Sequence, residues 1–305
     1  MTLIARTDLD VSPLCLGGNV FGWTANEQES MAVLDAYVEA GGNFIDTAEG
    51  YSHWVPGNVG GESETIIGNW LKRRGRRDDV VIATKLKGLS RDSIRQSVEA
   101  SLRRLRTDHI DLYYAHYDDP DAPQEETAAA FGELVTEGKV RHLAASNFTP
   151  DRLAGALRIA DELGVARYVA LQPHYNLVER EIVEGELAAL VAREDLAVFP
   201  YYSLASGFLT GKYRTADDLA GRERGDRAGG YLNERGFRVL DALDRVSAAH
   251  DAPITTVALA WLLSRPNVLA PIASARSVEQ LPALMAAADL KLTEAEVDDL
   301  TTASA

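Results

Sequence analysis

The sequence predicts a single α/β domain closed as a (β/α)8 barrel, and two observations carry the prediction. Short apolar, β-rich runs alternate with longer amphipathic stretches from one end of the 305-residue chain to the other, the pattern of repeated strand–helix units around a parallel sheet. Several runs are apolar without interruption, as in Val80-Val81-Ile82-Ala83, which suits strands buried on both faces. No shift of composition divides residues 1–305, and about 250 residues or more is ordinary for one such barrel.

The eight strands are expected at 14–16, 43–46, 80–84, 110–115, 140–145, 168–171, 196–200 and 268–272. The helices between them are marked by caps and spacing. Asn26 with Glu29 three residues on forms a capping box ahead of Met31-Ala-Val-Leu34, and Gly41-Gly42 ends that helix. Within 62–73, Ile66, Ile67, Trp70 and Leu71 share one stripe, as do Ile94, Val98, Leu102 and Leu105 within 90–105. Pro150 opens 151–163 and Pro253 opens 254–263, at first turns where a missing N–H is harmless. Residues 2–12 read as a short hairpin plugging the barrel's bottom. Residues 203–233, after the seventh strand, form a long loop rich in charge and glycine, and loops of that length serve as lids or binding elements when they are not disordered.

The chain carries 31 Lys+Arg against 46 Asp+Glu, a formal net charge of −15. Nucleic acid or an anionic membrane surface would require a basic face, so neither is the expected partner, although a local basic pocket is compatible with the balance. The longest uncharged run, 196–211, contains Pro200 and Gly207 and falls short of the ~20 apolar residues a membrane helix needs. The N-terminus reaches Asp8 without an apolar core, so no signal peptide is expected. The single cysteine, Cys15, has no partner for an internal disulfide and reads as a small core residue. These features predict a cytoplasmic protein. His53, His109, His142, His174 and His250 share no ligand spacing, so no metal site is expected.

In such a barrel the reactive groups sit at the C-terminal ends of the strands. The second strand ends in Asp46, followed by Thr47-Ala48-Glu49-Gly50-Tyr51; the third ends in Lys85 and the fourth in His116. Each alone is ordinarily a cap or a surface residue. On one rim they form an acid–base set. A phenol titrates near about 10 when unperturbed; the Lys85 ammonium is expected to lower that value, and Asp46 to keep the ammonium charged. A neutral imidazole can donate a hydrogen bond beside the phenol. Such a set suits protonating a carbonyl oxygen while a hydride attacks its carbon.

The motifs Asp46-Thr-Ala-x-x-Tyr51, Ala83-Thr-Lys85 and His116 after Asp111-Leu-Tyr-Tyr resemble those of the aldo-keto reductase superfamily. The resemblance runs on through Gly138-Lys139-Val-Arg, Ser146-Asn147-Phe148, Gln172-Pro-x-Tyr175-Asn, Pro200-Tyr201, Gly207-Phe-Leu-Thr-Gly211-Lys212, and Arg276 with Gln280, covering essentially the whole chain. It implies Tyr51 as general acid in reduction and base in oxidation, tuned by Lys85 and Asp46, with His116 orienting the carbonyl. It also implies a nicotinamide cofactor, NADP(H) rather than NAD(H). Ser146, Asn147 and Gln172 would meet the carboxamide, and Tyr201 would stack on the ring. Leu204, Gly207, Leu209 and Lys212 would cover the pyrophosphate from the long loop. Arg276 would meet the 2′-phosphate with Gln280 near the adenine, and Gly18 and Asn19 would touch the cofactor from the first strand. No G-x-G-x-x-G opens a helix, as suits a family that binds the nucleotide across the barrel mouth. Where the family often has Tyr-Ser-Pro-Leu this chain has Tyr201-Tyr202-Ser203-Leu204, which makes Tyr202 a rival for the stacking role. Trp23 and Trp54, on mouth loops, either line a substrate pocket or pack a loop.

The resulting expectation is an NADPH-dependent oxidoreductase that reduces a small-molecule aldehyde or ketone. Two other readings stand beside it: a catalytically quiet barrel acting as a regulatory or redox-sensing subunit, and a sugar-tailoring reductase acting on nucleotide-linked sugars. The sequence specifies neither the substrate nor an oligomeric state.

Overall fold

In the computed structural model, which describes residues 1–305, all eight apolar runs contribute a strand to one sheet. A hairpin of β1 (Thr2–Leu3) and β2 (Asp10–Val11) comes first. Then follow β3 (Cys15–Gly17), α1 (Glu27–Glu39), β4 (Phe44–Asp46), α2 (Glu62–Arg74), β5 (Val81–Leu86) and α3 (Arg91–Leu105). The chain continues through β6 (Ile110–Ala115), α4 (Gln124–Thr136), β7 (Val140–Ser146), α5 (Pro150–Leu163), β8 (Tyr168–Gln172) and α6 (Glu186–Glu194). It ends with β9 (Ala197–Val198), α7 (Gly225–Gly229), α8 (Glu234–His250), α9 (Ile254–Leu263), β10 (Ile272–Ala273), α10 (Leu281–Met285) and α11 (Glu294–Ala303). The parallel sheet runs β10-β3-β4-β5-β6-β7-β8-β9. It closes on itself, because Val198 N donates to Asn267 O at 2.8 Å, Leu269 N to Val198 O at 3.2 Å, and Ile272 N to Pro200 O at 2.9 Å. No single helix is long and apolar enough to cross a membrane.

The last strand departs from the expected 268–272. Only Ile272–Ala273 ladders with β3, while Val268 makes a separate bridge to Val198. Pro271 divides the two, having no N–H to donate to a continuous ladder. The first strand is likewise displaced by one residue, to Cys15–Gly17, and the seventh is trimmed to Ala197–Val198 ahead of Pro200.

Helix signals were local and were obeyed. Asn26 Oδ1 accepts from Glu29 N at 3.0 Å, and a Glu29 carboxylate oxygen accepts from Asn26 N at 2.8 Å. The cap of α5 is Thr149, which leaves Ser146 and Asn147 free to face the mouth. Alternate strand residues point inward, so Cys15, Phe44, Val81, Leu112, Tyr114, Val169 and Phe199 fill the barrel together with Ile4, Leu9 and Val11 of the hairpin. The hairpin is therefore a plug. The long loop is less bare than its composition suggests. It holds short helical turns at Ala205–Thr210 and Ala216–Leu219 besides α7, anchored by buried Phe208, Leu209, Tyr213 and Ala228.

The bottom of the barrel is tied by one carboxylate. Asp111, 1% exposed, accepts from Arg77 Nη2 at 2.6 Å, Arg141 Nη1 at 2.6 Å and Ile82 N at 2.8 Å. Arg141 continues to Asp8 of the plug at 2.7 Å. Asp111→Ala would leave the Arg77 guanidinium without an ion pair and Arg141 with Asp8 alone. Breaking a buried pair from one side costs roughly 3–5 kcal/mol, and urea unfolding followed by circular dichroism should show a loss of that size. A loss under about 1 kcal/mol, the level of an exposed pair, would show that Asp111 does not tie the bottom.

Candidate active site

Parallel pairing puts the ends of β4 and β5 side by side, with Asp46 in register with Ala83, so Lys85 emerges just above the Asp46 carboxylate. Lys85 is 0% exposed and Asp46 is 1% exposed. The ammonium places its three donors on Asp46 Oδ2 at 2.6 Å, Thr47 O at 2.8 Å and Tyr51 Oη at 2.9 Å. Asp46 Oδ1 accepts from Gln172 Nε2 at 3.0 Å. Because Lys85 donates to the phenol oxygen, the Tyr51 proton is directed elsewhere. The hydroxyl donates to Asp46 Oδ2 over a long 3.4 Å, a weak bond that a better-placed acceptor in the mouth can replace. His116 stands 6.3 Å from the Tyr51 ring, edge to face, and its Nδ1 is buried without a partner. The four residues that the sequence placed on one rim are thus brought together.

One expectation is corrected. The Tyr51 phenol is not lowered by Lys85. Burial, and then the Asp46 carboxylate, hold it well above its ordinary value. The reason is that the ammonium and carboxylate largely cancel as a pair, while the loss of water acts on the phenolate alone. Burial also lowers Lys85, against the raising effect of Asp46. Burial, Lys85 and Lys87 together push His116 down to about 2. At neutral pH the site therefore presents a protonated phenol beside a neutral imidazole.

Across the mouth, Ser146 Oγ donates to Gln172 O at 2.8 Å, and Asn147 Nδ2 donates to His116 O at 2.8 Å and Ser146 Oγ at 3.0 Å. Asn147 lies in the left-handed region at φ +59°, a conformation asparagine tolerates better than most residues. Tyr201 stacks on His174 with ring centroids 5.3 Å apart, and its hydroxyl donates to Asn147 Oδ1 at 2.8 Å. Tyr202, also at positive φ, turns to the long loop and receives a hydrogen bond from Arg227. Tyr201, not its rival, belongs to the Ser146–Asn147 group.

On another side of the same rim, Lys212 from the loop after β9 and Arg276 from the loop after β10 lie near each other, together with Arg222, Arg224 and Arg227. Lys212 is lowered by burial and then by Arg276, Arg224 and Arg222. No carboxylate forms an ion pair with any of these five cations. The nearby Glu223 and Asp226 are exposed and unpaired. In a chain of net charge −15, a cluster of cations without ion-paired carboxylates has the charge to attract an anion. Gly207 lies beside it at φ +95°, a left-handed backbone conformation that favours glycine. Arg276 N donates to Gln280 Oε1 at 2.9 Å, and Ser274 Oγ to Asn19 Oδ1 at 2.6 Å. Two of the expected residues are set lower. Leu209 is buried in the core, and Gly18 is packed against Ser63, whose Oγ donates to Gly18 O at 2.8 Å. Leu204 packs half-buried against the core.

Trp23 and Trp54 meet edge to face at 5.5 Å, and Trp54 meets Tyr51 at 6.4 Å. Tyr117 stacks on His116 at 4.5 Å. Trp54 is 43% exposed and Tyr117 48% exposed, so exposed rings flank the Tyr51–His116 pair. Tyr117 and the arginines at 222, 224 and 227 escaped the sequence reading. The available signal was three arginines within 222–227 of an acidic chain.

The model of the Aldo/keto reductase family matches residues 13–305. The chain is 32% identical to norsolorinic acid reductase B of Aspergillus parasiticus, over 99% of this chain and 83% of that protein. It is 36% identical to the uncharacterized oxidoreductase YrpG of Bacillus subtilis, over 95% of this chain and 91% of that protein. It is 33% identical to a probable voltage-gated potassium channel subunit beta of Oryza sativa subsp. japonica, over 94% and 90% respectively.

The depressed His116 has a measurable consequence. Its folded value, about 2, lies below the ~6.5 of an unfolded histidine. Between the two values the unfolded chain binds a proton that the native chain does not, so stability falls as pH drops below ~6.5. In NMR titrations the His116 ring should stay neutral down to pH ~4, and His116→Asn should weaken the acid-side loss of unfolding free energy. Titration of this ring near its unperturbed value would contradict the placement.

Proposed function

The chain belongs to the aldo/keto reductase family, and from that premise we propose that it reduces an aldehyde or ketone to the alcohol with NADPH, Tyr51 delivering the proton. Members of the family act on small carbonyl compounds with a nicotinamide nucleotide, which supplies the hydride when bound. The observation that carries the proposal is the trident of Lys85, whose third donor falls on Tyr51 Oη at 2.9 Å.

The rest is work for this chain's own side chains. A substrate oxygen in the mouth accepts from the Tyr51 hydroxyl, and His116 in its neutral form adds a second hydrogen bond. As charge gathers on that oxygen it becomes far more basic than a phenolate, so the proton passes from Tyr51 although burial holds this phenol high. Lys85 then faces the phenolate left behind and stabilises it at hydrogen-bond distance. Asp46 keeps Lys85 charged and placed. In the reverse direction the same phenolate takes the proton back from the alcohol.

The residues fit the nucleotide. The cation cluster suits its phosphates, and the Ser146–Asn147–Tyr201 group offers polar atoms and a ring face for the nicotinamide end. Gln172 would contribute there through its carbonyl, its amide nitrogen being held by Asp46. Residues 203–233 cover the phosphate side, and Arg276 carries the preference for NADPH, since its fork can meet a 2′-phosphate in bidentate fashion. The likeness to a channel subunit brings forward a second reading, a barrel that regulates a partner. The complete contact set of Asp46, Tyr51, Lys85 and His116 weighs for the enzyme.

Tyr51→Phe should lower kcat by about 10²–10⁴-fold, the usual loss for a general acid, with cofactor affinity changed only a few-fold. Turnover within tenfold of the wild type would remove Tyr51 from the role. Fluorescence titration should show NADPH binding more tightly than NADH, and Arg276→Ala should erase most of the difference. Equal affinities in the wild type would refute the cofactor assignment.

A further inference from the structure

We propose that Arg224 is a shared positioning residue: one guanidinium receives a phosphate of the nucleotide and props the indole of Trp23, so phosphate binding and the aromatic wall of the carbonyl site are set together. The inference rests on the preceding reading of the mouth as a nucleotide-dependent carbonyl site.

Arg224 precedes α7 in the long loop, and its guanidinium carbon lies 5.2 Å from the centre of the Trp23 ring. One face of the planar group is thus occupied. Its fork is not, for Nη2 is buried with no hydrogen-bond partner. Arg227 supplies the contrast. It also lies over a ring, that of Tyr202 at 5.5 Å, but it donates to the hydroxyl of the same residue. Among these cations Arg224 alone combines a ring contact with an unsatisfied buried donor. Its surroundings are Lys212, Arg222, Arg227 and Arg276, none of them ion-paired to a carboxylate, so a negatively charged oxygen is the missing partner.

The chain at this point cannot slide away. The next residue, Gly225, is packed so closely that a Cβ there would stand 2.5 Å from Leu219 O. On the other side, Trp23 meets Trp54 at 5.5 Å and Trp54 meets Tyr51 at 6.4 Å. Two further ring contacts therefore separate Arg224 from the proton donor. A phosphate oxygen accepting from Nη2 would hold the last torsions of Arg224, and the guanidinium face would then hold the indole. Both the pyrophosphate and a 2′-phosphate have this chemistry.

The test uses tryptophan fluorescence excited beyond the adenine band, with 2′-AMP and ADP as separate probes for the two phosphates. Either probe, or both, should change the emission, and the responding fragment identifies the phosphate. Trp23→Phe should abolish the change while calorimetry still detects binding. Arg224→Gln should abolish it and weaken that fragment by about tenfold to a hundredfold, as for loss of a charge-assisted hydrogen bond. Arg224→Lys should recover part of the affinity but little of the Trp23 signal, since an ammonium lacks the planar face. In turnover, Arg224→Gln should raise KM for an aromatic aldehyde more than it lowers kcat. Thermal melting checks that each variant is folded. An unaltered emission change in Trp23→Phe or in folded Arg224→Gln would overturn the proposal, as would silence of both fragments in the wild type. If no carbonyl compound consumes NADPH, the functional reading fails separately, and the fragment titrations still decide the role of Arg224.

Discussion

A lysine with no exposure to water is the constraint around which the mouth of this barrel is arranged. A buried ammonium is tolerated only when its charge is matched and its donors are used. Lys85 meets that demand with Asp46, the Thr47 carbonyl and Tyr51. The geometry depends on β4 and β5 being adjacent, parallel and in one register, for a shift of one residue would turn Lys85 to the other face of the sheet. Satisfying Lys85 therefore also aims the phenol. The same contact that makes the burial possible occupies one side of the phenol oxygen and leaves its proton only the long bond to Asp46 Oδ2.

Charge is distributed unevenly over the molecule. At the bottom, Asp111 gathers Arg77 and Arg141, and Arg141 reaches Asp8 of the plug. Those arginines are matched. At the top, five cations lie together with no carboxylate ion-paired to them, in a chain whose net charge is −15. The first arrangement holds strands together. The second leaves like charges together on the long loop and after the last strand.

The contrast between the two ends also explains what reading residues in order could find. Asp46, Lys85 and His116 were legible because each ends an apolar run, and strand ends of a parallel barrel converge on one rim whatever the loops do. Tyr51 was legible through its motif, but its protonation was not. Proximity to Lys85 suggested a lowered phenol, whereas enclosure by the barrel raised it. Trp23 and Trp54 could be assigned to the mouth, yet only the fold showed that they touch. Arg222, Arg224 and Arg227 were visible merely as charge in a glycine-rich stretch, because no periodicity governs such a segment.

By itself the sequence determined the barrel, the plug, the helix caps and the rim positions of Asp46, Lys85 and His116, since these follow from local spacing, capping chemistry and strand-end placement. Even there, Pro271 cut the last strand shorter than its apolar run. The tertiary structure alone decided which donor points where, which side chains lose their water and which cations are left unpaired. Those properties arise between residues far apart in the chain. Asp46 and Gln172, or Trp23 and Arg224, become neighbours only when the barrel has closed and the long loop has folded across its mouth.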